Sequence, residues 1–345
     1  MDLKEILQKA VDKKASDIHF VVGRSPIMRI DGILFEMGDD TPIDTHRIRR
    51  VLDTLLSDEE RSRFEIEKEI GTIFEIKGTS RFRINAYWER GNPGIVARYI
   101  PSAIPSMEHL GLPPVAHTLA TFRQGLVLIT GRKGVGKSTT LASIINHINE
   151  YKAENIITFE DPIEYIFPTL KSIIVQRQLG TDFKSFRESL KFVPRHDPDI
   201  IVVGEMRDIE TMSAVITLAE TGHLVFSTLH TCNAAQTINR IIDVFPSHQQ
   251  EQIRLQLSLT LRGIISQQLL PKIGGGRVAA REILMQTPAL STCIREGKIE
   301  QIPTIIQTGG SEGMKTMDKS LLELYKSGCI SQETMFEYMV DGYDT

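Results

Sequence analysis

The run Gly131-Arg132-Lys133-Gly134-Val135-Gly136-Lys137-Ser138 fits the pattern G-x-x-x-x-G-K-[ST]. Glycines at this spacing let the backbone curl so that successive N–H groups face an anion. A helix starting at the end of such a loop adds its positive N-terminal end. In that setting Lys137 reaches the β- and γ-phosphates of a nucleotide, Ser138 ligates Mg²⁺, and Thr139 is a candidate contact to the α-phosphate. Arg132 and Lys133 add positive charge beside the phosphates or project into solvent.

Further polar residues stand at the ends of apolar runs. Ile156–Phe159 leads into Glu160-Asp161-Pro162-Ile163-Glu164, and Ile200–Val203 leads into Gly204-Glu205. His223 precedes Leu224–Phe226, and His230 follows it in the segment STLHT. A carboxylate beyond a strand end, opposite a γ-phosphate, orients water for in-line attack, and Glu205 is the candidate for that task. Glu164 is the second carboxylate, for water or metal positioning. Gly204 occupies the position where a metal-binding aspartate is familiar, so Mg²⁺ contacts through water from Glu205 or the 160–164 segment are expected. His230 is a candidate hydrogen-bond donor to the γ-phosphate. For Glu160 and Asp161, a helix cap or surface ion pair is as good a reading as a functional one.

These residues need a scaffold that brings strand ends together. From about residue 115, short apolar runs at Leu126–Ile129, Ile156–Phe159, Ile200–Val203 and Leu224–Phe226 alternate with helical patterns such as Leu141, Ile144, Ile145 and Ile148. Continuous apolar strands separated by helices predict a parallel sheet covered on both faces. Ligands of such sheets sit beyond the carboxyl ends of the strands.

The first hundred residues have a different character. An apolar run covers Ile18 to Val22, and MRI-DG-ILF reads as a hairpin turning at Asp31-Gly32. Ile48, Val51, Leu52, Leu55 and Leu56 mark a helix that Asp44 caps. Two strands follow, one alternating Phe82, Ile84, Ala86 and Trp88 with Arg81, Arg83 and Asn85, the other alternating Ile95, Ala97 and Tyr99 with Val96, Arg98 and Ile100. Pro101, Pro105, Pro113 and Pro114 then predict a linker. The expected organisation is an α+β domain over 1–100, a linker over 101–114 and a nucleotide-binding α/β domain over 115–345.

The 345 residues suit two domains, and 41% hydrophobic with 24% charged residues is the balance of a globular protein. A net charge near −4 and the absence of a basic run speak against a dedicated nucleic-acid binder. The N-terminus reads as an amphipathic helix rather than a signal peptide, and no stretch is long and apolar enough to span a bilayer. A cytoplasmic chain that meets a membrane only through partners is expected. Cys232, Cys293 and Cys329 have neither metal-ligand spacing nor a disulfide pattern.

In order along the chain, ASDIHF, the phosphate loop, ITFEDPIEY, DPDIIVVGEMRD, AETGHLVFSTLHT, RIIDVFP and QQLLP resemble the motifs of the secretion and pilus motor ATPases. Within that group the chain is most similar to the type IV pilus retraction ATPases of the PilT family, over nearly its whole length. The resemblance implies a PAS-like N-terminal domain followed by a RecA-like domain, with ATP and Mg²⁺ between them. It implies a homohexameric ring acting on an inner-membrane platform protein, and arginines at the positions of Arg83 and Arg98 that reach the nucleotide. The missing long N-terminal extension, the missing four-cysteine site and the segment Ala289–Gly297 favour retraction over pilus assembly or type II secretion. Departures occur at Arg132-Lys133, Val135, Pro194 and Ser291-Thr292-Cys293. Readings of another class are a RecA-like nucleic-acid motor and an accessory ring subunit that turns ATP over poorly.

Overall fold

The computed structural model describes residues 3–37, 42–76, 80–100 and 103–339. It divides into two compact units, Met1–Ala103 and Ile104–Thr345. The first holds α1 (Leu3–Asp12), β1 (Asp17–Phe20), β2 (Ile27–Ile30), β3 (Ile33–Glu36), α2 (Thr45–Leu55), α3 (Asp58–Glu67), β4 (Glu69–Ile76), β5 (Ser80–Glu89) and β6 (Asn92–Ile100). Its sheet is antiparallel, in the order β3-β2-β1-β6-β5-β4.

Alternation decides what this sheet buries. Phe82, Ile84 and Ala86 of β5 are fully buried, whereas Arg81, Arg83 and Asn85 between them face the other side. Leu7 of α1 and Ile48 of α2 complete this core. Burying such a side chain is worth about 1.5–3 kcal/mol each. The Asp31-Gly32 turn forms with positive φ at both residues (47° and 89°), as a tight two-residue hairpin requires. Asp44 caps α2 by accepting from the Arg47 N–H at 2.7 Å. The helix α3 and the strand β4 are further elements that the sequence pattern does not announce. The charged helix α3 buries Phe64 and is secured by a capping box between Ser57 and Glu60.

The second unit begins with the segment leading into α4 (Val115–Leu119). The segment from Ile104 to Pro114 is part of this unit: Met107 and Leu112 are buried in its core, and Arg281 donates to the carbonyls of Leu110 (2.9 Å) and Gly111 (3.1 Å). Then follow β7 (Gly125–Thr130), α5 (Lys137–Tyr151), β8 (Asn155–Glu160), β9 (Ile173–Gln178), α6 (Phe186–Phe192), β10 (Ile200–Val203), α7 (Ile209–Glu220) and β11 (Leu224–Leu229). The chain continues through α8 (Ala234–Asp243), α9 (Ser247–Thr260), β12 (Leu261–Pro271), β13 (Arg277–Met285) and α10 (Pro288–Glu296), and closes with α11 (Ile302–Thr308), α12 (Met317–Lys326) and α13 (Gln332–Tyr338).

Its sheet runs β13-β12-β7-β11-β10-β8-β9, parallel throughout except for β13. Every residue of β7, β10 and β11 is buried, so both faces are covered. The β12–β13 hairpin extends this sheet beside β7 and is a further element not read from the sequence. No helix among the described residues is long and apolar enough to cross a membrane.

Candidate active site

The strand order alone gathers the chemistry. β7, β11, β10 and β8 are parallel neighbours, with Thr130 opposite Leu229 and Val203 opposite both Ser227 and Phe159. The residues after these strands are the phosphate loop, His230, Gly204-Glu205 and Asp161. All emerge at one edge of the sheet, where a parallel α/β sheet binds its ligands.

Gly131, Gly134 and Gly136 all have positive φ (141°, 83° and 87°). At Gly131 a Cβ would sit 2.4 Å from the carbonyl oxygen of Gln267 and 2.7 Å from Cγ2 of Val135, so only glycine fits. Arg132 and Lys133 are exposed, whereas Lys137 is 8% exposed. The Lys137 ammonium donates to the carbonyls of Gly131 (2.8 Å) and Arg132 (3.1 Å) and meets Nδ1 of His230 at 3.0 Å. Burial lowers the Lys137 pKa, and the charges of Glu205 and Glu164 oppose that shift.

An ammonium has three donors and no acceptor, so Nδ1 of His230 accepts. The ring proton of a neutral His230 is therefore on Nε2, which lies 3.1 Å from Oε1 of Glu205. The other Glu205 oxygen accepts from Nε of Arg207 at 3.0 Å, and Arg207 reaches Asp161 at 3.4 Å. One continuous row thus joins loop, histidine, carboxylate and arginine across four strand ends. Gly204 lies at the tight point of this row. Its N–H donates to Phe159 O (2.8 Å), its carbonyl accepts from Thr228 Oγ1 (2.6 Å), and an added Cβ would sit 3.3 Å from Phe159 O.

Ser138 lies half-buried in the first turn of α5. The Thr139 hydroxyl bonds the Tyr165 hydroxyl at 2.9 Å, tying α5 to the loop after β8. Glu164 lies in that loop, and its backbone N–H donates to the carboxylate of Glu160. Glu160 is held inside: it accepts from Thr158 Oγ1 (2.6 Å) and Gln176 Nε2 (3.1 Å), and burial raises its pKa, with the charge of Glu164 adding to the rise. The described residues contain no cluster of three or more His, Cys, Asp or Glu side chains that could hold a metal ion by themselves.

Arg83 and Arg98 belong to the first unit, where they face each other across β5 and β6. Like charges in that position repel, and the buried Asp17 offsets the repulsion by accepting from Arg98 Nε at 2.7 Å. Arg207, Tyr165, Gln267 and Asp17 are site or support residues that motif reading passes over. Arg207, Gln267 and Asp17 stand inside the segments GEMRD, QQLLP and ASDIHF, where type and position give the only signal.

The chain matches the model of the family described as Type II/IV secretion system protein over residues 1–298. It is 44% identical over 337 residues to the type IV pilus retraction ATPase PilT of Pseudomonas aeruginosa, covering 98% of each chain. It is 43% identical over 310 residues to a twitching motility protein of Neisseria gonorrhoeae, covering 90% of this chain and 83% of that one. A crystal structure of the pilus retraction motor PilT with bound ADP superposes with a TM-score of 0.90 at 44% identity, over 99% of this chain and 98% of that one. A strand-end array of this kind in a chain alike over its whole length identifies it as a member of the Type II/IV secretion system protein family and a homologue of the pilus retraction ATPases.

Proposed function

We propose that this chain is an ATP-hydrolysing motor that powers type IV pilus retraction. The observation that carries the reading is the row Lys137–His230–Glu205, in contact at 3.0 Å and 3.1 Å on adjacent strand ends beside a phosphate loop. In this reading the loop N–H groups and Lys137 hold the phosphates, and Thr139 faces the α-phosphate once its hydroxyl leaves Tyr165. Glu205 orients the attacking water and takes up its proton. His230 keeps the carboxylate aimed and reports the γ-phosphate through Lys137. Glu164 adds negative charge beside Lys137 and supports water placement.

Mg²⁺ fits this donor set. A hard cation takes oxygen ligands and commonly shares substrate phosphates and water rather than an all-protein cage. The Ser138 hydroxyl would hold it, with Glu205 and Glu164 acting through water. When bound, the ion neutralises developing phosphate charge.

The remaining parts of the reading rest on the family likeness. They are a PAS-like first domain, a RecA-like second domain and a homohexameric ring at the cytoplasmic face of the inner membrane. In that ring Arg83 and Arg98 reach the nucleotide, and domain closure works on an inner-membrane platform protein. Nucleic acid has no part in it.

The test is genetic and biochemical together. Deletion in the host is expected to give excess surface pili without twitching, restored by the wild-type gene and not by a Lys137→Ala allele. Bald cells would assign the chain to pilus assembly instead, and ATPase activity dependent on DNA would assign it to nucleic-acid motors.

A further inference from the structure

Gln267 of β12 touches the phosphate loop at its first glycine and in its middle, and the helix after it at Thr140, although it lies 136 residues after that glycine in sequence. Its side chain belongs to a residue 1% exposed. The amide nitrogen Nε2 donates to the carbonyl of Val135 at 2.6 Å. The amide oxygen Oε1 accepts from the Thr140 hydroxyl at 2.9 Å, in the first turn of α5. The backbone carbonyl of Gln267 closes the third contact, because it occupies the space beside Gly131 where a Cβ would sit.

Each contact constrains a different feature. The Val135 carbonyl can only accept, which fixes the amide nitrogen on its side, and the Thr140 hydroxyl then donates to the amide oxygen. The bond to Val135 then fixes one peptide plane. The Val135–Gly136 bond is trans, since the cis bond among the described residues is Asp161–Pro162. In a trans peptide the C=O and the following N–H point in opposite directions. Drawing the Val135 carbonyl toward β12 therefore turns the Gly136 N–H away from the sheet, to the side where the loop cradles anions. With positive φ at both Gly134 and Gly136, this plane has little to hold it from the chain itself.

We propose that Gln267 is a positioning residue for nucleotide binding: its amide sets the direction of the Gly136 N–H and so completes the phosphate cradle. The proposal rests on the reading that this loop binds nucleotide phosphates. It assigns the QQLLP segment a part in substrate binding through β12, outside the loop, the strand-end carboxylates and the histidine.

The test uses the full chain and mantADP as the probe. Gln267→Glu keeps the size and turns the Nε2 donor into an acceptor facing the Val135 carbonyl. The Kd for mantADP and the KM for ATP are expected to rise about tenfold or more, with kcat at saturation within about threefold of wild type. Gln267→Ala is expected to behave the same way, and Thr140→Val, which removes one of the two bonds that hold the amide, to raise Kd about threefold. A Gln267 that merely supports the fold would lower the thermal midpoint without nucleotide and leave Kd and KM of the folded protein unchanged. Folded Gln267 variants that bind mantADP within about twofold of wild type overturn the proposal. Should neither fold, an unchanged Kd in Thr140→Val overturns it. A wild-type chain that binds no mantADP instead overturns the nucleotide reading itself.

Discussion

The ends of β8 and β10 differ in a way that their sequences hide. The two strands are neighbours in register, each is apolar to its end, and each runs into a glutamate, Glu160 or Glu205. Glu160 is half-buried against a hydroxyl and an amide, and burial raises its pKa. Glu205 is half-buried too and lies between an imidazole and a guanidinium. At Glu160 desolvation outweighs the bonds from its neutral partners and favours the protonated carboxyl. Two glutamates one register step apart on the same sheet edge therefore sit among different partners, neutral ones at Glu160 and basic ones at Glu205.

That contrast can be broken or sharpened by substitution. The largest effect is expected at Lys137→Ala, which serves the phosphates and anchors the row containing Glu205: ATPase kcat/KM should fall about 10³-fold or more. Hydrolysis surviving in this variant would place the reaction centre elsewhere and make the comparison meaningless. Glu205→Gln comes next, with kcat down about 10²-fold and mantADP affinity little changed. Equal losses in kcat and affinity would make Glu205 a binding group.

Glu160→Gln should do least to turnover, leaving kcat within about threefold of wild type. Its signature is in stability. A carboxyl whose folded pKa is raised binds its proton more tightly when folded, so the stability of wild type declines as pH rises from the ordinary value of 4.5 through the folded value. The amide does not titrate, so the variant should flatten that decline. Denaturant midpoints taken upward from pH 4.5 read the slope, and parallel slopes would contradict the burial argument.

Much of this was legible in the residues. Strand-length apolar runs announced β7, β8, β10 and β11, and the polar residues after them announced the site, because both signals are local. The Asp31-Gly32 turn and the Asp44 cap were legible for the same reason. The role of Gln267 was not. It depends on β12 pairing beside β7, a contact between segments more than 130 residues apart, which no local period records. Nor does local pattern tell Glu160 from Glu205, since the amide of Gln176 and the imidazole of His230 that help separate them come from other strands. The segment 104–114 reads as a linker from its prolines, yet Met107, Leu112 and the carbonyls bound by Arg281 make it part of the second unit. Proline disfavours helix and strand interiors; it does not exclude packing.

Gly204 has a consequence of its own. With Phe159 O 3.3 Å from where a side chain would begin, β8 and β10 leave a tight fit at this position, and a larger residue would need its neighbour to give by a few tenths of an ångström. The acidic group is displaced to the next residue, beyond the last paired residue of β10. There its direction is governed less by its own backbone than by His230 and Arg207. In the proposed reading a carboxylate mounted this way is a follower, because a shift of the β11 end reaches it sideways through His230. A Gly204→Asp change would crowd Phe159 O as well as add a carboxylate.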